Sequence, residues 1–259
     1  MSDEATEPAV LTERRDNVLV ITINRPDQRN AVNMAVSEGI AAAIDELDGD
    51  DGLSLAVLTG AGRGFCAGMD LKAFAAGEII WHDTRGFGGI IQQPPTKPII
   101  AAVEGFAVAG GLEIAMACDL LVAGRSAKLG IPEVKRSLVA AGGGLLRLPR
   151  KLPYGVVMEM ALTGDPISAE RGHELGLVNR VADDGGALDA ALALAGEIAA
   201  NGPLALAASK QILEAQWDWT AEEFWVKQME IAGPVLGSED AQEGAIAFAE
   251  KREPVWKGR

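Results

Sequence analysis

Apolar positions in the first half of the chain fall in short β-branched runs broken by polar, Gly- and Pro-containing stretches. "NVLVITINRP" (17–26) is such a run, closed by Pro26, and reads as a strand. Beyond the polar "DQRN", the stretch "NMAVSEGIAAAIDEL" sets Val36, Ile40, Ile44 and Leu47 at helical spacing, with Asn33 as N-cap. "LSLAVLTG" (53–60) is a second strand, so strand, helix and strand imply a right-handed crossover into a parallel pair. "GAGRGFCAGMDLKAF" (60–74) is a backbone-exposing loop running into a helix, and 77–95 is irregular. "KPIIAAVEG" is a third strand; a glycine pair then opens the helix "LEIAMACD", apolar on every side and therefore buried. "LLVAG" and "AKLGIPE" add short strands, and residues 17–135 repeat strand–strand–helix turns, a spiral rather than a doubly wound sheet.

From about residue 155 the pattern turns helical. "GVVMEMALTG", "SAERGHELGLV" and "GALDAALALAGEIAANGP" follow one another, and Pro203 starts the next helix. "TAEEFW" is a capping box built on Thr220 and Glu223. "SEDAQEGAIAFAEKR" has Ser238 as cap, acids in its first turn and Lys251 and Arg252 in its last. Of five tryptophans four lie at or beyond 217, which suggests a contact surface for a neighbouring subunit. The expected division is an acidic disordered tail (1–16), a core (17–200) and a helical oligomerisation region (201–259).

A formal charge of −14 disfavours nucleic acid or an anionic membrane as partner, so an anionic ligand must be met by local cations or backbone N–H groups. Two cysteines, Cys66 and Cys118, make no disulfide framework; both read as small buried side chains in a reducing, cytoplasmic setting. No signal peptide or membrane span is read, because Glu104, Glu113 and Asp119 interrupt the longest apolar region. Dinucleotide, P-loop and G-x-S-x-G signatures are missing, neither His82 nor His173 is placed beside a serine, and no metal-ligand spacing occurs. What remains is two Gly-rich loops, "FCAGMDL" and "AVAGGLE", and two carboxylates, Glu113 and Glu133. Gly110 stands at a helix start, where free N–H groups favour developing negative charge. Taken singly, Glu113 also fits a helix-dipole partner and Glu133 a solvated loop residue.

"GRGFCAGMDLK", "GFAVAGGLEIAMACDLLVAG" and "IPEVKRSLVAAGGGLLRLP", in this order, resemble the enoyl-CoA hydratase/isomerase (crotonase) superfamily over nearly the whole chain. The C-terminus "SEDAQEGAIAFAEKREPVWKGR" is similar to carnitinyl-CoA dehydratases, and "FCAGMDLKA" to actinobacterial enoyl-CoA hydratases. The resemblance implies an α/β fold, the crotonase (ClpP-like) spiral of ββα units with a C-terminal helical region. It implies a thioester oxygen held by the backbone N–H groups of Met69 and Gly110, and Glu113 and Glu133 as catalytic acid–base residues. Coenzyme A, part of the substrate rather than a prosthetic group, is expected near Arg25, Ala31, Ala67, Asp70, Leu71 and Lys72, with Phe248 and Lys251 reaching it from the C-terminal helix.

The implied activity is reversible hydration of a trans-2-enoyl-CoA, carnitinyl-CoA dehydration included, by a homotrimer or dimer of trimers without metal, nucleic acid or membrane. A Δ3,Δ2-enoyl-CoA isomerase, a non-catalytic acyl-CoA-binding homologue and, last, a serine peptidase on the related spiral remain as alternatives. Ala109, where the family often has glycine, reads as a mild change. Ser137 and Ala140, in "RSLVAAGGG", mark the wall near the acyl group.

Overall fold

The structure is a computed structural model that describes residues 7–259. The chain runs β1 (Val10–Arg15), β2 (Val18–Ile23), α1 (Met34–Gly49), β3 (Leu55–Gly60), α2 (Leu71–Ala75), β4 (Trp81–His82), β5 (Gly86–Phe87), β6 (Ile99–Val103), β7 (Phe106–Val108) and α3 (Gly110–Ala117). It continues through β8 (Leu120–Gly124), β9 (Lys128–Gly130), α4 (Gly144–Lys151), α5 (Tyr154–Thr163), β10 (Ile167–Ser168), α6 (Ala169–Glu174) and β11 (Arg180–Ala182). The C-terminal helices are α7 (Ala187–Ala199), α8 (Pro203–Ala215), α9 (Ala221–Leu236) and α10 (Glu239–Glu250).

A six-stranded sheet has the order β1-β2-β3-β6-β8-β11, and a three-stranded sheet the order β10-β9-β7. Successive strand pairs step from the first sheet to the second, β6 to β7 and then β8 to β9, which is the spiral expected from the strand–strand–helix rhythm. Strands β2, β3, β6, β8 and β11 pair in parallel. Parallel strands are covered on both faces, which is why β3 and β6 are continuous apolar runs. One face packs against α1 and α3 in the main core, with Ile40, Ile44 and Phe65 fully buried; the other packs Val57 and Ile100 against Ala191 and Leu194 of α7.

Local chemistry fixes the helix ends. Asn33 Oδ1 accepts from the Val36 amide, a cap worth about 1 kcal/mol. Thr220 and Glu223 form the expected capping box of α9, and Ser238 caps α10. α8 is tied to the core by Lys210, whose Nζ lies 2.9 Å from Asp119 Oδ2 and 3.1 Å from the Lys97 carbonyl. α7 and α8 together match a membrane span in length and composition, but they meet at a 108° bend, and no single helix among the described residues is long and apolar enough to cross a membrane.

Four expectations need correction. Within the tail expected to be disordered, residues 10–15 form β1, paired antiparallel with β2; Met1–Thr6 lie outside the described residues. β1 is the edge strand and carries Glu13, Arg14 and Arg15 towards solvent, so its composition imitates a tail. Residues 180–182 form β11, and 81–87 hold the β4–β5 hairpin inside the segment read as irregular. Lys251 does not lie in the last turn of α10: it is the left-handed C-cap, while Arg252 folds back onto Glu243.

Candidate active site

A cleft of about 920 Å³ opens between the two Gly-rich loops and the segment after β9. Met69, Gly110, Glu113 and Glu133, the four residues singled out for chemistry, all line it, together with Ala31, Ala67, Asp70, Leu71 and Lys72.

The first loop is held from beneath. Asn30 is 1% exposed, and its Nδ2 donates to the carbonyls of Ala61 (2.9 Å) and Gly64 (2.7 Å). Met69 forms an isolated parallel bridge with Val32. In it the Val32 N–H reaches Gly68 O at 2.8 Å and the Asp70 N–H reaches Val32 O at 2.9 Å. Backbone amides alternate in direction along such a segment, so the Met69 N–H between these bonds is left without an acceptor among the described residues. Gly110 is the first residue of α3, and its N–H has no intrahelical acceptor and no other among the described residues.

The two loops touch at Gly68: a Cβ there would stand 2.9 Å from Gly110 N and 2.8 Å from the Ala109 Cβ. Likewise a Cβ on Gly111 would collide with Cys66 O, so α3 can approach this closely only with glycine. Cys66 and Cys118 are both buried as expected, and burial pushes each thiol up to about 12.

Ala109 is not a mild change. It holds φ 53° and ψ −134°, a region in which a Cβ is strained, directly before the exposed amide of Gly110. Strain of this kind costs on the order of 1–3 kcal/mol, against about 0.4–1 kcal/mol for glycine's extra freedom in the unfolded chain. Ala109→Gly is therefore expected to stabilise the fold by about 1 kcal/mol, read as a higher urea midpoint; an unchanged or lower midpoint would show the backbone to be relaxed there.

Glu113 sits one turn into α3 and is 4% exposed. Its Oε1 accepts from the Gly144 N–H at 2.9 Å, at the start of α4. Burial pushes its pKa up, while the amides of Gly144 and Gly142 and the charge of Arg147 pull it back. The glycines at 142 and 144 make room for the carboxylate: a Cβ at 142 would fall 2.5 Å from Oε2, and one at 144 would fall 3.1 Å from Oε1.

Glu133 lies in the first turn of a 3-10 segment (Pro132–Arg136), and its Oε2 is buried with no hydrogen-bond partner among the described residues. Burial chiefly, and the negative charge of Glu113 in the same direction, push Glu133 up to about 7 against the pull of its own amide. The two carboxyls thus differ in kind. One is gripped by donors that favour the anion; the other is placed to keep a proton near neutrality.

Other expected contacts are redistributed. Arg25 does not line this cleft; its guanidinium is spent on the Ala31 carbonyl and on Asp70 Oδ2 at 3.0 Å, bracing the first loop. Asp70 in turn caps α2 through the amides of Lys72 and Ala73. Phe248 is 88% exposed and neither it nor Lys251 lines the cleft of its own chain. The wall after Glu133 is made by Leu138, Val139, Ala141 and Gly142; Ser137 turns away as a left-handed cap and Ala140 is buried behind.

Sequence reasoning also missed an aromatic wall. Phe87 packs edge-on to Trp81 at 5.7 Å between ring centroids, and a Cβ on Gly110 would collide with the Phe87 ring. The hairpin carrying both rings is anchored by Ser37, whose Oγ donates to Ile80 O and accepts from Gly88 N–H. Nothing in the local pattern of 77–95 signals this, because the wall depends on a contact with a distant helix.

The enoyl-CoA hydratase/isomerase family model matches residues 13–259. An enoyl-CoA hydratase of Mycobacterium tuberculosis is 42% identical over 266 residues, covering 100% of both chains. The carnitinyl-CoA dehydratase of Proteus mirabilis is 40% identical, covering 95% of this chain and 97% of the relative. Among solved structures, an enoyl-CoA hydratase from Mycobacterium tuberculosis is 61% identical with a TM-score of 0.96, covering 98% of this chain and 100% of that one. With its two-sheet spiral and its paired loops, this chain belongs to the enoyl-CoA hydratase/isomerase family and has the crotonase fold.

Proposed function

We propose that the chain is an enoyl-CoA hydratase, a hydro-lyase that adds water syn across the double bond of a trans-2-enoyl-CoA and catalyses the reverse dehydration. The observation that carries this reading is the meeting of two unlike carboxyls and two unpartnered amides in one cleft.

The thioester oxygen accepts from the N–H groups of Met69 and Gly110. Charge moves onto that oxygen as the enolate forms, and a donor aimed there lowers the barrier by about 3 kcal/mol. Polarisation makes Cβ electrophilic. Glu113, as the anion, takes a proton from water while the water oxygen bonds to Cβ. The electron pair of the double bond moves towards the thioester, and Glu133 delivers its proton to Cα. One water is consumed and the pair of glutamates keeps one proton throughout, exchanged between its members. Dehydration runs the same steps backwards.

Coenzyme A enters only as part of the substrate, and the position of Lys72 of α2 in the cleft lining supports it as a cation for the phosphates. The chemistry calls for no prosthetic group. A homotrimer or dimer of trimers is the assembly this reading favours, supported by the exposed Trp225, Val226, Met229 and Leu236 of α9 and by Phe248 of α10. Placement in the cytoplasm is supported by two unpaired, buried cysteines.

Incubation with crotonyl-CoA is expected to bleach the conjugated-thioester absorbance. An isomerase, or a protein that only binds acyl-CoA, leaves that absorbance in place.

A further inference from the structure

We infer that Arg147 is a positioning residue that holds Glu113 in its carboxylate form, so that the single proton shared by the two glutamates rests on Glu133. This rests on the hydratase reading above. Arg147 lies within α4, one turn from the Gly144 amide that grips Glu113. The glycine turn before α4 has the two groups pressed against it. A Cβ at 142 would fall 2.5 Å from Glu113 Oε2, and one at 143 would collide with Arg147 Nη1.

The guanidinium makes one hydrogen bond among the described residues, Nη2 to Ile91 O at 2.6 Å, and no ion pair. Its charge is therefore not consumed by a close carboxylate partner. Beside Glu133 the arrangement is the opposite: Oε2 is buried without a donor. A cation and two amides serve one glutamate and only its own amide serves the other, which sets the direction in which the pair is polarised.

The other groups around Arg147 are few. Glu214 faces it from α8, Arg150 lies beside it on α4, and the Cys118 thiol closes the end of α3. Lys151, on the same helix, is held below its usual range by burial and feels the Arg147 charge in the same direction. Glu133 is the carboxyl that senses Glu113 directly. Of these, Glu214 is the carboxylate besides Glu113 whose charge Arg147 feels.

The test is the pH dependence of kcat/KM for crotonyl-CoA. Only the singly protonated pair reacts, so the profile is a bell whose basic limb reflects Glu133, near 7, and whose acid limb reflects Glu113. Water addition takes up no net proton, so the Haldane relation imposes the same bell on dehydration. Arg147→Gln keeps a donor for Ile91 O but removes the charge; the acid limb is expected to rise by about one pH unit, and the maximum to fall as the limbs close. Arg147→Lys restores the charge and the limb.

An Arg147→Gln enzyme with reduced kcat or Tm but an unmoved acid limb would overturn the inference. If that variant does not fold, Arg147→Met, which keeps the apolar stem and removes the charge, decides: a raised acid limb supports the role and an unmoved limb overturns it. A wild-type protein that hydrates nothing strikes the hydratase reading instead. In that case the carboxyl-carbon NMR titration of Glu113, in the wild type and in Arg147→Gln, still measures the field of Arg147 without turnover.

Discussion

Replacing either glutamate by glutamine is expected to lower kcat by about 100-fold or more, the scale of a general acid–base contribution, with affinity for the CoA product kept within about threefold. The substitution is nearly isosteric, so the loss reports protons and not shape. The two variants should differ in stability. In Glu113→Gln one carboxylate oxygen becomes an NH2, so of the main-chain donors at Gly142 and Gly144 only one keeps its acceptor. That variant is expected to unfold at a lower temperature.

In Glu133→Gln a buried carboxyl oxygen without a donor is replaced by a neutral amide, and the cost of ionising it disappears. Its Tm is expected to match or exceed the wild type at pH 8. The sign follows from the raised pKa: the folded state holds the Glu133 proton more firmly than the unfolded chain. The group's contribution to stability is therefore complete at low pH and is lost as pH rises from the ordinary carboxylate range through about 7. Kinetics and calorimetry on the two variants check both halves; near-wild-type turnover in either would remove that residue from the mechanism.

Gly68→Ala is expected to cost a further large factor, about 100-fold in kcat, by a different route. Gly68 has φ +92°, and an added methyl would stand 2.9 Å from Gly110 N and 2.8 Å from the Ala109 Cβ. The contact forces the two loops apart, and with them the amides meant for one oxygen. Gly77 provides the control. It has φ +81°, and nothing lies within 4 Å of where its Cβ would stand, so Gly77→Ala carries the backbone strain without the collision. Both variants should lose stability of order 1–3 kcal/mol, while only Gly68→Ala loses turnover. Equal kcat in the two, measured on folded protein, would separate the loop contact from catalysis.

The chain's sequence announces some of this and conceals the rest for physical reasons. Helix starts were legible at Asn33, Thr220 and Ser238, because a cap is a local interaction spelled in consecutive residues. Glu113 and Glu133 were legible as a pair only through the family resemblance; each alone has an ordinary structural use. The edge strand β1 was hidden because it is held by its ladder to β2 rather than by burial: five of its six residues are exposed, and its charged ones guard the edge.

That Arg25 braces the first loop was not legible, since its partners, the Ala31 carbonyl and Asp70, come together only in the folded loop. The glycines at 142–144 were visible as a run, but their purpose, leaving space for the Glu113 carboxylate, is set by α3 about thirty residues earlier. Strain at Ala109 was equally invisible, because a dihedral angle is imposed by what lies on both sides of it.

The most direct test of two carboxyls acting across one double bond is hydration of crotonyl-CoA in deuterium oxide enriched in heavy oxygen. The proposed geometry requires one labelled oxygen at Cβ and one deuterium at Cα, added to the same face. Label at Cα without oxygen at Cβ, or addition to opposite faces, would contradict it.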